Sequence, residues 1–268
     1  MTIALVVQAR MGSTRCPGKV LADIHGEPLL ARMLTRLALV QTPVKVVVAT
    51  TRASEDDAIV RLAEREGVSF YRGHTEDLLD RHVEAARAVG ADVVAKVPSD
   101  CPLVDPKIID EVLLAFLASD GADYVGNLHP ASWPDGNDVE VMPLRALELA
   151  RTEATRAHER EHTTPYLWDR PDRFRIGSVV RKDGRDLSMT HRITVDYPED
   201  LALVRAVFAA LLPEKGPAFT ADDVVALLDA RPDIYALNAH YAGVNWYRNH
   251  LRDLKTVTAK ETRWPSRP

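Results

Sequence analysis

The chain has 268 residues, of which 46% are hydrophobic and 27% are charged, as is typical of a globular protein that buries a sizeable core. Its formal net charge of −5 argues against general attraction to nucleic acid or to an anionic membrane. No apolar run approaches the roughly 18 residues of a membrane span, and two cysteines do not make a disulfide framework. We therefore expect a cytoplasmic protein that binds neither nucleic acid nor a membrane.

In chain order, the first half of the sequence alternates short β-branched runs with amphipathic helices. The predicted strands are residues 3–7, 44–49, 68–71 and 92–97. Apolar residues at helical spacing give one buried face to the helix predicted over 30–37. Ser54 and Thr220, each followed three residues later by Asp, are predicted helix starts. The alternation predicts an α/β fold with a mostly parallel central sheet flanked by helices.

The second half of the sequence is less regular. Strands are predicted over 123–127, 139–142, 175–180 and 191–195, and a long helical stretch over 143–168. Beyond residue 212 the chain becomes richer in aromatic side chains. We predict a main domain over 1–212 and a helical and aromatic extension over 213–268. The extension is expected either to pack on the domain or to reach a second subunit, in a possible homodimer.

The segment from Gln8 to Lys19, QARMGSTRCPGK, directly follows the first predicted strand. Its three cations, its glycines and its hydroxyls suit a polyphosphate, and loops at the carboxyl ends of strands bind ligands in open α/β sheets. The spacing excludes a Walker A loop, because Ser13 stands where its first glycine belongs and Val20 replaces its hydroxyl residue. The segment is therefore predicted to hold phosphates in another way.

Two aspartates follow predicted strands at positions that could meet this loop. Asp100 comes after the strand that ends at residue 97, and Asp196 after the one that ends at residue 195. If both strands run parallel to the first, both carboxylates emerge at the same sheet edge as the loop. Carboxylate oxygens are ligands that magnesium prefers, so a Mg²⁺ site is predicted there.

A competing pattern lies in the predicted long helix, where His158, Glu159 and His162 fit the H-E-x-x-H zinc motif. At helical spacing the two histidines would share a face. A third protein ligand is required, and the next glutamate after Glu161 is Glu199, on a separate helix. A metal at this motif is left open.

Several motifs in order give the chain a resemblance to the sugar-activating enzymes of the nucleotidyltransferase fold. They are the loop from Gln8 to Lys19, Tyr71-Arg-Gly73, Asp77 to Arg81, Asp100-Cys-Pro-Leu103, Pro134 to Glu140, Arg160 to Tyr166 and Asp196 to Leu201. The sequence is most similar to the group of spore coat polysaccharide biosynthesis protein F, related to the 3-deoxy-manno-octulosonate and acylneuraminate cytidylyltransferases. Gln8 and the Ser99-Asp-Cys101 turn mark a subgroup distinct from those two enzymes.

The resemblance implies a Rossmann-like nucleotide-diphospho-sugar transferase fold and specific roles for named residues. The metal ligands would be Asp100 and Asp196, and the catalytic residues would be these two with Arg10, Arg15 and Lys19. The nucleotide would contact Gln8, Ala9, Arg10, Gly12, Ser13, Arg15, Lys19 and Ser99. The sugar would contact Arg72, Asp80, Arg81, Asp138, Glu140, Glu161 and His162.

The expected reaction is transfer of CMP from CTP to an acidic or phosphorylated sugar, with release of pyrophosphate, for surface polysaccharide or glycan biosynthesis. A metal-dependent glycosyltransferase that uses a nucleotide sugar is one alternative, although the turn at Asp100 lacks the Asp-x-Asp motif of those enzymes. A nucleotide-binding assembly protein without catalysis is the other.

Overall fold

The structure, a computed structural model, describes residues 1–265. Within them, strands β1 to β9 are Ile3–Gln8, Asp23–Ile24, Glu27–Pro28, Lys45–Thr51, Ser69–Gly73, Val93–Lys96, Tyr124–Gly126, Glu140–Pro143 and Ile176–Ser178. Helices α1 to α10 are Leu29–Leu37, Asp57–Arg65, Leu78–Ala88, Pro106–Ala118, Leu144–Glu153, Ala157–His162, Pro165–Trp168, Pro198–Lys215, Ala221–Ala230 and Pro232–Tyr235. None of these helices is both long and apolar enough to cross a membrane.

Seven strands form the central sheet, in the order β5-β4-β1-β6-β8-β7-β9. The first four are mutually parallel, β8 is antiparallel to both of its neighbours, and β9 is parallel to β7. The predicted α/β class with a mostly parallel sheet is confirmed. Strand β1 lies inside the sheet and is buried on both faces, which explains its continuous apolar run.

Side chains of β1 alternate between two apolar layers. Leu5 and Val7 face a layer that includes residues of α1 and α4, whereas Ala4 and Val6 face a layer that includes residues of α3 and α5. This period of two is that of a strand with helices on both sides. Helices therefore cover both faces of the sheet, and a ligand can reach it at the edge where its parallel strands have their carboxyl ends.

Two local predictions of secondary structure are wrong for identifiable reasons. The helix predicted over 143–168 is three helices, because α5 ends at Glu153 and Thr163 has φ +73°, outside helical geometry, directly after α6. The segment 191–195 joins no sheet and forms only an isolated bridge, between Asp135 and Arg192. Thr220 does start a helix with a capping box, whereas Ser54 opens a 3-10 turn ahead of α2.

The described part of the extension, residues 213–265, is called the tail below, and aromatic residues of the tail pack on the domain of their own chain. Trp246, Tyr247 and Leu254 join the apolar layer of α3 and α5. Helix α8 runs through the predicted boundary at residue 212. The division into a domain over 1–212 and an extension over 213–268 stays a prediction, as does the homodimer.

Candidate active site

A cavity of about 750 Å³ lies at the edge of the sheet where β1 and β6 end. Its wall includes predicted site residues from five separate parts of the chain: Gln8, Arg15, Asp100, Asp138, Glu140, Glu161, His162 and Asp196. Lys19 lies against this wall, in contact with Asp100 and Asp196. The structure therefore brings together the opening loop and both aspartates.

The opening loop is fixed by contacts of its backbone. The Met11 N–H donates to Asp56 Oδ1 at 2.7 Å, and the Gly18 N–H donates to the Met11 carbonyl at 3.2 Å. Gly18 has φ +69°, which favours glycine at this turn. The chain then enters a 3-10 turn at Lys19. The loop is folded back on itself, with Lys19 directed inward.

Lys19 links the two aspartates. Its Nζ lies 3.3 Å from Asp100 Oδ2 and 3.4 Å from Asp196 Oδ1, and it also donates to the Val195 carbonyl. The residue is only 9% exposed. Burial by itself lowers the pKa of Lys19, but Asp100 and Asp196 outweigh it, so the pKa is raised and the ammonium stays charged.

Asp196 receives two further cations. Arg15 donates to its Oδ1 at 2.5 Å and Arg192 to its Oδ2 at 3.0 Å. Burial raises the pKa of Asp196, but Lys19, Arg15 and Arg192 outweigh burial and hold the pKa well below its usual range. The carboxylate is therefore ionised at neutral pH.

The backbone around Asp100 positions Asp196 although residues 191–195 form no strand. The Val195 N–H and the Thr194 hydroxyl both donate to the Asp100 carbonyl, at 2.7 and 3.1 Å. On its other side the segment contacts Gly136, where an added Cβ would lie 2.5 Å from the Thr194 nitrogen. Gly136 also has φ +112°, so both the close contact and the backbone conformation require glycine.

Arg192 is a buried organising residue that sequence reasoning missed. Its side chain is 1% exposed and donates to Asp135 at 2.8 Å and to Asp200 at 2.9 and 3.1 Å, besides Asp196. Asp200 in turn accepts the Asp196 N–H at 2.8 Å. An arginine between loops carries no local motif, and only the D-Y-P-E-D spacing pointed to this region.

The opposite wall of the cavity carries a second buried ion pair. Lys96 and Glu140 are cross-strand partners on the antiparallel pair β6 and β8, and the ammonium donates to the carboxylate. Tyr124 and Thr164 also donate hydrogen bonds to Glu140. Lys96, which sequence reasoning missed, pairs with Glu140 and fixes its orientation.

Asp135 and Asp138 are two neighbouring carboxyl groups between the two walls. Burial and the neighbouring Asp135 raise the pKa of Asp138. Burial also raises the pKa of Asp135, although Arg192 opposes that shift. Both groups line the cavity, where a ligand that donates hydrogen bonds would satisfy them.

Aromatic side chains complete the wall beside Glu140. His162 stacks on Trp246 at 3.9 Å and His129 on Trp168 at 3.9 Å between ring centroids. Burial lowers the pKa of His162 to about 3 and that of His129 to about 4, so both rings are neutral at physiological pH. Such flat, uncharged faces suit the apolar face of a sugar ring.

Three residues that were predicted to bind the sugar lie outside the cavity wall and contact other parts of the protein. Arg72 pairs with Asp57 at 2.6 Å, and Asp80 pairs with Arg151 at 3.3 Å. Arg81 is 3% exposed, and burial lowers its pKa to about 10. None of the three is part of the cavity wall within the described chain.

The rest of the predicted nucleotide set lies on or beneath the opening loop. Arg10 and Gly12 are exposed, and Ser13 accepts a hydrogen bond from the Cys16 N–H at 3.3 Å. Ala9 and Ser99 are buried, and the Ser99 N–H donates to the Gln8 carbonyl at 3.3 Å.

The H-E-x-x-H pattern does not form a zinc site of the protease kind. Glu159 is 1% exposed and accepts hydrogen bonds from Arg170 at 2.6 Å and from the Arg156 N–H at 3.2 Å. His162 stacks on Trp246. The glutamate is thus committed to structure and is not placed to act as a base.

Residues 4–223 match the family model described as cytidylyltransferase. The chain belongs to the cytidylyltransferase family. It is therefore an enzyme of the nucleotidyltransferase class.

Known proteins are similar to this chain in sequence and in fold. Spore coat polysaccharide biosynthesis protein SpsF of Bacillus subtilis is 30% identical over 236 residues, which are 86% of this chain and 95% of SpsF. A 3-deoxy-manno-octulosonate cytidylyltransferase of Geobacter sulfurreducens is 38% identical over 48% of this chain and 50% of its own length. The structure of a cytidylyltransferase from Leptospira borgpetersenii has a TM-score of 0.82 and 31% identity, covering 88% of this chain and 97% of that one. The predicted resemblance and nucleotidyltransferase fold are confirmed.

Proposed function

We propose that this cytidylyltransferase transfers CMP from CTP to a sugar hydroxyl and releases pyrophosphate, in the synthesis of a surface polysaccharide or glycan. The observation that carries the proposal is the Lys19 bridge between Asp100 and Asp196 at the mouth of the cavity. The names of SpsF and of the octulosonate enzyme support the sugar acceptor.

Asp100 and Asp196 fit a magnesium ion. Both carboxylates already converge on one cation, Lys19 Nζ, and both offer hard oxygen donors to the cavity. Magnesium held by them would neutralise charge on the triphosphate and polarise its α-phosphorus. The pairing with Lys19 holds the two carboxylates close together.

The opening loop would hold the nucleotide. Arg15 and Lys19 stand beside the two carboxylates, and Arg10 extends from the exposed part of the loop. These cations would contact phosphate oxygens, while Gln8 at the end of β1 and Ser99, three residues beyond β6, would border the base. Positioning and charge neutralisation would supply most of the acceleration, as in other phosphoryl transfers.

The sugar would occupy the aromatic side of the cavity. Asp138, Glu140 and Glu161 would accept hydrogen bonds from its hydroxyl groups. Arg248 and Lys260, which also line the cavity, provide the positive charge that an acidic or phosphorylated sugar requires. These two residues come from the tail, so the tail is proposed to help select the acceptor.

The proposal is tested by measuring pyrophosphate release with each of four nucleoside triphosphates against a panel of neutral, acidic and phosphorylated sugars. We expect release only with CTP, Mg²⁺ and an acidic or phosphorylated sugar together. Thermal stabilisation by CTP with no release for any acceptor would instead establish a nucleotide-binding protein. Consumption of a nucleotide sugar would establish a glycosyltransferase.

A further inference from the structure

Three potential metal ligands meet outside the cavity, on the side of α6 that faces the tail. They are His158 on α6 and His250 and Asp253 on the tail. One ligand atom from each lies within 4.8 Å of the other two. Residues 158 and 250 are 92 positions apart, so only tertiary folding brings them together, and neither the nucleotide nor the sugar site uses them.

The spacing of these groups is close to that of a metal site. His250 Nδ1 lies 3.7 Å from Asp253 Oδ2, and the rings of His158 and His250 are 4.9 Å apart. Ligand atoms bound about 2.1 Å from a tetrahedral zinc ion lie about 3.4 Å from one another. Small side-chain rotations would therefore bring the three ligand atoms within bonding distance of one ion.

The surroundings favour ordered ligands. His158 is 4% exposed. Trp246 packs beside both imidazole rings, and its ring centroid lies 6.2 Å from that of His158 and 5.7 Å from that of His250. Arg156 donates to the main-chain carbonyl of Asp253 at 2.8 Å and so holds that turn in place. Asp253 is 55% exposed, which leaves the fourth position of an ion open to water.

We propose that His158, His250 and Asp253 bind one transition-metal ion, with zinc the best match to two imidazoles and a carboxylate. The site is separate from Asp100 and Asp196. The ion joins α6 to the tail.

The position of the site gives it a structural consequence for the cavity. Trp246 contacts both regions, because its ring centroid lies 6.2 Å from that of His158 and 3.9 Å from that of His162, on which it stacks. His162 and Trp246 both line the cavity. A metal that fixes the tail against α6 therefore also fixes this aromatic wall.

The test is zinc binding by the full-length protein after treatment with a chelator, measured by competition with a chromophoric chelator. We expect one Zn²⁺ per chain, and a loss of at least about 100-fold in affinity for His158→Gln and for His250→Gln. His240→Gln, which changes an exposed histidine of the same tail, is the matched control and should bind as wild type does. Thermal melting should rise with zinc in the wild type and the control alone.

A double variant, Asp100→Asn with Asp196→Asn, distinguishes this site from the nucleotide site and should retain zinc. If that double variant loses zinc while His158→Gln and His250→Gln keep it, the proposal is wrong. It is also wrong if the wild type binds no zinc at micromolar concentrations. Should His158→Gln fail to fold, Asp253→Asn, which changes an exposed side chain, tests the same site. Co²⁺ is then used in place of Zn²⁺, and the visible bands of bound Co²⁺ should change or disappear in Asp253→Asn; unchanged bands would contradict the proposal.

Discussion

The two sides of the cavity are built in different ways. On the side of the opening loop, Lys19 and Arg15 are locked onto Asp100 and Asp196, and Arg192 supports Asp196 from beneath. Charge there is preorganised before any ligand arrives. Such an arrangement suits phosphoryl chemistry, in which positioning and electrostatics provide the catalysis.

The aromatic side is assembled from segments far apart in the sequence. Glu140 lies on β8, His162 ends α6 and Trp246 belongs to the tail. Glu140 is paired with Lys96, and His162 is neutral, so this side presents oriented acceptors and flat rings more than free charge. We propose from this comparison that the loop side carries out the reaction and that the aromatic side selects the acceptor.

Lys19→Ala should have the largest effect on the loop side. It removes the cation shared by two carboxylates, and we expect kcat to fall by about 10³-fold. The free energy of unfolding should also fall by about 3 kcal/mol, because Asp196 loses a buried partner. Steady-state kinetics and urea unfolding measure both. Lys107→Ala, at an exposed position of α4, is the control. Equal kcat values for the two variants would show that Lys19 does not contribute to catalysis.

Gly136→Ala tests the close contact between the segment that carries Asp138 and Glu140 and the segment that precedes Asp196. The added methyl group meets the backbone of Thr194 and Ile193, so the free energy of unfolding should fall by about 3 kcal/mol. Gly90→Ala also has positive φ, at +65°, but its Cβ meets no atom within 4 Å, and it should cost only about 1 kcal/mol. Similar denaturation midpoints for the two variants would contradict the close approach at Gly136.

Trp246→Ala tests the aromatic side by itself. Removing the ring that stacks on His162 should raise KM for the sugar about tenfold, a loss of about 1.4 kcal/mol, with KM for CTP nearly unchanged. Trp264→Ala removes a tryptophan of the same tail that is 67% exposed and should change neither constant. A rise in KM for CTP instead of the sugar would reverse the assignment of the two sides.

Asp138→Asn should stabilise the protein by about 1 kcal/mol at neutral pH. The pKa of Asp138 is raised in the folded state by burial and by Asp135, so above the unfolded value of about 4 the wild type loses stability as pH rises. Asparagine removes this loss and still accepts the Gly136 N–H. Urea unfolding between pH 4 and pH 8 should show a gain that grows with pH; a gain independent of pH would contradict the raised pKa.

Sequence patterns predicted the sheet and the loop side well because their signals are local. A buried strand followed directly by a cation-rich loop needs no tertiary information. Asp196 was placed correctly at this edge for a partly wrong reason: its segment is held by the carbonyls of Asp100 and Asp135 and not by a strand ladder.

The aromatic side was only partly predictable. Lys96 looked like an ordinary residue of a predicted strand, and so did Arg192 on the loop side, because Glu140 and Asp135, which pair with them, lie on other segments. The tail offered an aromatic composition but no pattern that could show which surface it covers. Packing of Trp246 against α6 follows from the tertiary fold alone.

The central claim is that Asp100 and Asp196 form the metal-dependent centre of nucleotidyl transfer. The most direct measurement is pyrophosphate release from CTP and acceptor during a Mg²⁺ titration of wild type, Asp100→Asn, Asp196→Asn and the exposed control Asp120→Asn. We expect the control to match the wild type, and both centre variants to lose about 10²-fold or more in kcat with a higher Mg²⁺ requirement. Wild-type turnover at wild-type Mg²⁺ in either centre variant would contradict the claim.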